Sequence, residues 1–211
     1  MYNINIIMVK GTLKKHFFHR YLIALLSLFI FQNSFGQDSY RFKCKDNPKC
    51  NGVEFSINIP KKFNPLEGDR PHIIKKFVFQ ENNFSTTIIL YLRKLPMKPS
   101  NEEINKILSL ENIYKMNNVI ELIEYDDNAN IDNQKCLTAT IYNEAKVYTN
   151  KIYNVINQNL LIWEDNLIQV NFFVTTNQDN YEKILNYYDS NKHTFNSIMS
   201  SFVLTSKWKN K

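Results

Sequence analysis

Residues 53–59 alternate strictly, with Val53, Phe55, Ile57 and Ile59 on one side and Glu54, Ser56 and Asn58 on the other. A period of two is the signature of a strand with one buried face. Residues 73–80 and 86–93 predict two more strands, joined as a hairpin through Glu81, Asn82 and Asn83. Pro96 and Pro99 separate these strands from a helix expected over about residues 101–115. There Ser100 and Glu103 have capping-box spacing, and Ile104, Ile107, Leu108 and Tyr114 share a face. Residues 119–125, 134–142, 147–156, 159–164 and 167–175 are rich in β-branched and aromatic side chains between Asn and Asp clusters, which predicts a meander of about five strands. Its last hairpin is expected to turn at Asp165-Asn166. Tyr181, Ile184, Leu185 and Tyr188, then Phe195, Ile198, Met199 and Phe202, recur at helical spacing.

Hairpin-linked strands with helices grouped between and after them predict an α+β domain, an antiparallel sheet covered by helices. The chain has 211 residues, 44% apolar and 22% charged, with 4 Gly and 6 Pro, which suits one globular domain and excludes collagen-like or linker-like sequence. No internal repeat or linker marks a second domain. The expected division is a leader over 1–36 and one domain over 37–211, with its core at about 52–205.

Charge sharpens that division. Residues 1–36 hold four of the 26 Lys and Arg (Lys10, Lys14, Lys15 and Arg20) and none of the 20 acids, so the rest carries 22 bases against 20 acids, net +2. The formal +6 is therefore mostly leader, and dyads such as Lys61-Lys62 and Lys75-Lys76 are too short for a nucleic-acid footprint. Lys14, Lys15, His16 and Arg20 precede the apolar run 21–31, and Ser34 and Gly36 occupy the two positions a signal peptidase reads. Cleavage is expected after Gly36. The apolar run is about 11 residues, half of what spans a bilayer, so no transmembrane anchor is expected, and Met8 is an alternative start. The ending Ser34-Phe35-Gly36-Gln37-Asp38 is similar to leaders of Bacteroidetes-type bacteria.

Export to the periplasm or beyond would place Cys44, Cys50 and Cys136 in an oxidising space. Cys44 and Cys50 are the natural pair; a zinc site would need four ligands, and outside the leader only His72 and His193 are on offer. Cys136 then remains as a buried thiol in a strand.

Chemistry is read mainly from what is missing. After Gly36 only Gly52 and Gly68 remain, so neither a phosphate-cradling loop nor a nucleophile elbow can be built, and no cofactor is expected. His72 and His193 have no nucleophile beside them. Asp126, Asn128, Asn130 and Asp132 alternate like half a calcium loop, but Ile131 stands where the turn glycine belongs and Leu137 where the bidentate Glu belongs, so no metal site is expected. Glu121 with Glu124, and Glu164 with Asp165, are the carboxylate pairs a glycosidase could use. Neighbours on a strand point apart, so the second pair is not expected to converge. The tail Lys207-Trp208-Lys209-Asn210-Lys211 reads as a solvated end.

Three stretches carry a resemblance: Phe55-Ser56-Ile57-Asn58-Ile59-Pro60 with Phe63, the hairpin from Leu161 to Val170 through Trp163 and Glu164, and Phe195 to Phe202 before Val203-Leu204. Over most of residues 52–205 their order resembles the Mog1/PsbP-like family of exported bacterial proteins. Phe63 stands where that family usually has Trp, and Lys61 where it commonly has Gly. The resemblance implies an α/β/α sandwich and a non-enzymatic accessory role, and carries over no site residue. The expected function is an exported, non-catalytic domain that binds a protein partner or envelope component. The alternative is a small envelope hydrolase working through carboxylates.

Overall fold

The protein is described by a computed structural model over residues 38–45 and 47–209. The leader with its cleavage site at Gly36, the alternative start Met8, and Asn210 and Lys211 of the tail lie outside the described residues.

Strand β1 (Ser39–Cys44) and strand β2 (Phe55–Pro60) form a two-stranded sheet, linked through a 3-10 turn at Pro48–Cys50. The main sheet has seven strands: β3 (Asn64–Glu67), β4 (Ile73–Glu81), β5 (Phe84–Lys94), β6 (Glu121–Ile131), β7 (Gln134–Val147), β8 (Asn150–Trp163) and β9 (Asn166–Thr176), in the order β3-β4-β5-β9-β8-β7-β6. Every neighbouring pair is antiparallel, including the β4–β5 and β8–β9 hairpins expected from their turns. Helices α1 (Asn101–Ile107) and α2 (Leu110–Met116) come between β5 and β6. Helix α3 (Tyr181–Ser200) follows the sheet, and α4 (Thr205–Lys209) ends the described chain.

Alternation along the strands gives the sheet two apolar faces. One packs against β2 and the buried stripe of α3, joining Phe55, Phe77, Leu90 and Phe172 to Ile184, Tyr188, Phe195 and Ile198. After α3 the chain pairs Val203 with Ser56 in β2 through two backbone hydrogen bonds of 2.9 Å. The other face carries a smaller core, in which Leu108 and Ile113 cover Leu137, Ala139, Ile141, Ile156 and Leu160.

The expected α+β class with an α/β/α sandwich is overturned by these proportions. With 51% strand and 24% helix, the protein is a β-rich fold, and the second face carries only two seven-residue helices in place of a helical layer. Two local effects produce the difference. The helix expected over 101–115 breaks because Ser109 takes an extended conformation and its hydroxyl accepts the Asn112 N–H, capping a new helix. The capping box at Ser100 and Glu103 does form. The strands, in turn, run through polar residues expected to interrupt them: Asn157, Gln158 and Asn159 lie inside β8, so the five-strand meander is four strands of 11 to 14 residues. The residues expected as two helical groups at 181–202 form one 20-residue helix, with Phe202 outside it.

Cys44 and Cys50 form the expected disulfide, both sulfurs buried in the main core. Between them Lys49 donates through Nζ to the carbonyls of Gly68 (2.8 Å), Arg70 (3.2 Å) and Ile73 (3.2 Å), so the bridged loop is stitched to the segment before β4. Gly68 is required there, since a Cβ would come within 1.9 Å of the Ile73 carbonyl oxygen. The bridge closes a sequence separation of 6, for which the chain-entropy relation gives about 2 kcal/mol. Cys44→Ala/Cys50→Ala should therefore lower the unfolding free energy by that much and move the urea midpoint down accordingly. An unchanged midpoint would show that the loop is held by Lys49 alone.

Candidate functional site

On β7 and β8, the positions facing α3 read Cys136, Thr138, Thr140, Tyr142 and Tyr153, Val155, Asn157, Asn159, Leu161. Apolar residues hold both ends of this face and polar ones its centre. Thr138 pairs directly with Asn159 and Thr140 with Asn157. Asn157 Nδ2 donates to Thr140 Oγ1 at 3.0 Å, and Thr140 Oγ1 lies 3.1 Å from the Tyr188 hydroxyl of α3. Asn159 Nδ2 donates to Asn157 Oδ1 (2.7 Å) and to the Val170 carbonyl (3.1 Å), while Asn159 Oδ1 accepts from Thr138 Oγ1 (3.1 Å). This chain of bonds lets a sheet centre hold two buried amides, because a buried amide left unpaired costs about 1–3 kcal/mol.

The ladder opens at one end into a cleft of about 480 Å³ under the C-terminal half of α3. Thr138, Asn157 and Asn159 line its floor, Asn130 of β6 and Asn196 of α3 its sides, and Phe202 adds an apolar wall. The β6–β7 turn closes the cleft: Asp132 Oδ2 accepts the Leu204 N–H at 2.8 Å, and its carbonyl accepts Lys207 Nζ at 2.9 Å. Asp132 and Asn133 both have positive φ, the pattern of a type I′ hairpin, which Asp and Asn tolerate. In the next row Cys136 is fully buried. Burial pushes its thiol up to about 12, so it stays protonated and bonds the Leu137 carbonyl at 3.5 Å.

The acids singled out in the sequence fall in two other places. A bulge between Leu122 and Glu124 brings Glu121 and Glu124 to the α3 side of β6, where Glu121 accepts from the Tyr181 hydroxyl at 2.5 Å and Glu124 pairs with Lys192. Both tie the edge strand to the helix. Glu164 and Asp165 are the two turn residues of the β8–β9 hairpin, one position earlier than expected, with positive φ at Glu164. Being turn residues, they escape the strand rule that would part them, and both line a pocket of about 250 Å³ with Glu54, Trp163 and Asn166.

His72 is exposed and stacked on Tyr91 at 5.6 Å; His193 is exposed in the second half of α3. Asp126, Asn128 and Asn130 belong to strand β6, not a loop, and the Asn128 N–H donates to Asp126 Oδ1 at 2.9 Å. Among the described residues, no three His, Cys, Asp or Glu side chains are grouped so as to hold a metal ion, and no helix is long and apolar enough to cross a membrane.

Sequence reasoning missed the ladder by ending one strand at Ile156 and starting another at Asn159. The available signal was phase, since Asn157 and Asn159 fall in register with Val155 and Leu161 on one face.

At the far end of the same face, Tyr142 and Tyr181 pack edge to face at 4.8 Å. Burial, with Glu144 beside one and Glu121 bonded to the other, pushes both phenols from 10.0 up to about 12. A folded pKa raised above the unfolded one gives stability that is full below pH 10 and is lost as pH climbs through 12. Stability should therefore fall between pH 10 and 12 in step with rising tyrosinate absorbance. Tyr181→Phe should lessen the fall, and a flat profile over that range would contradict the assignment.

No protein-family model and no curated protein matches the sequence. Among solved structures, a protein from Bacteroides thetaiotaomicron VPI-5482 is similar at 11% identity and a TM-score of 0.36. The match covers 71% of this chain and 44% of that one, so the chain spans less than half the length of this structural relative.

Proposed function

We propose that the chain is an exported, non-catalytic binding domain that takes an uncharged polar segment of a protein partner or envelope component into the cleft between α3 and strands β6–β8. The observation that carries this reading is the convergence of Asn130, Asn196, Thr138, Asn157 and Asn159 on one cleft beside Phe202. Carboxamides donate and accept at once, so they complement peptide amides or sugar hydroxyls without stripping water from a charge. Polar groups that converge from several elements on one concave site are what fixes a ligand's orientation there. Export is supported by the leader pattern and by the Cys44–Cys50 bridge. The Mog1/PsbP-like resemblance of the three stretches points to the same accessory role.

Asn130 and Asn196 are exposed, so Asn130→Ala/Asn196→Ala should fold normally. Used as bait in envelope extract beside the unaltered protein, the double variant should retain the bound component about tenfold less, the equivalent of one lost hydrogen-bonding contact. Undiminished retention would remove the cleft from the binding surface. Hydrolytic turnover lost with Glu121→Gln, Glu124→Gln, Glu164→Gln or Asp165→Asn would overturn the non-catalytic reading.

A further inference from the structure

The pocket at the β8–β9 turn lies apart from the asparagine cleft and is built differently. Trp163 and Asn166 face each other across the turn as direct partners, on the side of the sheet where Ile168 and Leu161 join the main core. Asn166 is 3% exposed. Its Nδ2 donates to Asp165 Oδ1 at 2.9 Å, which fixes the orientation of the amide and leaves Oδ1 as a buried acceptor with no hydrogen-bond partner. Such an acceptor costs about 1–3 kcal/mol unless a donor arrives from outside. Around it, Glu164, Asp165 and Trp163 line the same pocket, with Glu54 at its side. Lys94 approaches Asp165 only loosely: its Nζ stays 3.6 Å from Asp165 Oδ2 and is largely exposed.

We propose that this pocket binds a guanidinium group. A guanidinium brings five N–H donors in a planar fork, able to serve carboxylates and the Asn166 carbonyl oxygen together while its face lies on an indole. An ammonium, with three donors about one point, matches this spread of acceptors less well. A bare metal ion is disfavoured because no three acids among the described residues are grouped to ligate one. Free arginine and an arginine side chain of a partner peptide share this chemistry. Glu164 adds to the argument from the backbone: its φ of 53° is a left-handed conformation that Gly or Asn would hold more easily, yet a carboxylate stands there.

The test uses the purified full chain with Trp208→Phe, which leaves Trp163 as the one indole. Titration with N-acetyl-L-arginine amide should change Trp163 emission saturably, and the citrulline counterpart, neutral and of the same shape, should not. Tighter binding of the amide than of free L-arginine assigns the group to a peptide side chain, and the reverse assigns it to the free amino acid; both support the site. Glu164→Gln should weaken binding about tenfold, the size of one charge-assisted hydrogen bond. Glu164→Gly guards against a folding artefact, because relieving the positive φ should raise the melting temperature while binding is lost. No saturation below about 10 mM, an equal response to citrulline, a response reproduced by calcium chloride, or full binding by Glu164→Gly would each overturn the proposal. None of these bears on the asparagine cleft, which the bait experiment tests separately.

Discussion

Phe172→Ala is expected to cost about 3–5 kcal/mol, the range for emptying a fully buried aromatic site. Phe172 is fully buried on β9, between Ile88 of β5 and Asn157 of β8. Its ring stacks on Phe195 of α3 at 4.8 Å with an interplanar angle of 24°, and Phe195 in turn meets Tyr188 at 5.8 Å. The truncation therefore opens a cavity where the long helix is pinned to the sheet, next to the polar ladder. A domain of this size holds about 5–15 kcal/mol in all, so the variant should keep its fold with a much lower urea midpoint and an unchanged slope. Phe195→Ala should cost a similar amount, and the double variant less than the two combined, because each single change already breaks the shared stack. A loss under about 1 kcal/mol for Phe172→Ala would mean that α3 docks elsewhere.

How much of this fold was legible depended on which forces decide each element. The hairpins β4–β5 and β8–β9 were, because alternation and turn residues act within a few positions. The fold class was not. Ser109 could as well sit inside a helix as cap a new one, and only the cover that Leu108 and Ile113 provide over Leu137 and Ile156 decides it. The run Asn157-Gln158-Asn159 reads as an interruption because asparagine disfavours strands; β7, β9 and Tyr188 supply the partners that reverse that preference. The turn at Glu164 was misplaced by one residue because Asp165-Asn166 is the better local sequence for positive φ, and register with β5 and β8 overrode it. Of the candidate residues, the disulfide pair was legible from compartment and spacing. The asparagine cleft was not, since it joins Asn130, Asn157 and Asn196 from three elements far apart in the chain.

The ladder also allows stability to be separated from recognition. Asn157→Leu keeps the branched shape but removes the acceptor for Asn159 Nδ2 and the donor to Thr140 Oγ1. Weakening two buried partners at about 1–3 kcal/mol each, against the gain from burying leucine, should leave a net loss of about 2 kcal/mol. Tyr188→Phe removes one hydrogen bond of the same chain and should cost about 1 kcal/mol. Replacing the whole set (Thr138→Val, Thr140→Val, Asn157→Leu, Asn159→Leu and Tyr188→Phe) strands no side-chain partner, and only the Val170 carbonyl loses a bond, the one from Asn159. By the reasoning that makes full apolar replacement near neutral, it should restore or exceed the original stability in urea denaturation. That outcome, combined with loss of the bound component from envelope extract, would mean that amides are kept in the sheet at some cost to stability because the cleft uses them. If the fivefold variant is instead destabilised beyond the sum of its parts, the ladder is a structural device and the binding role falls to other surfaces.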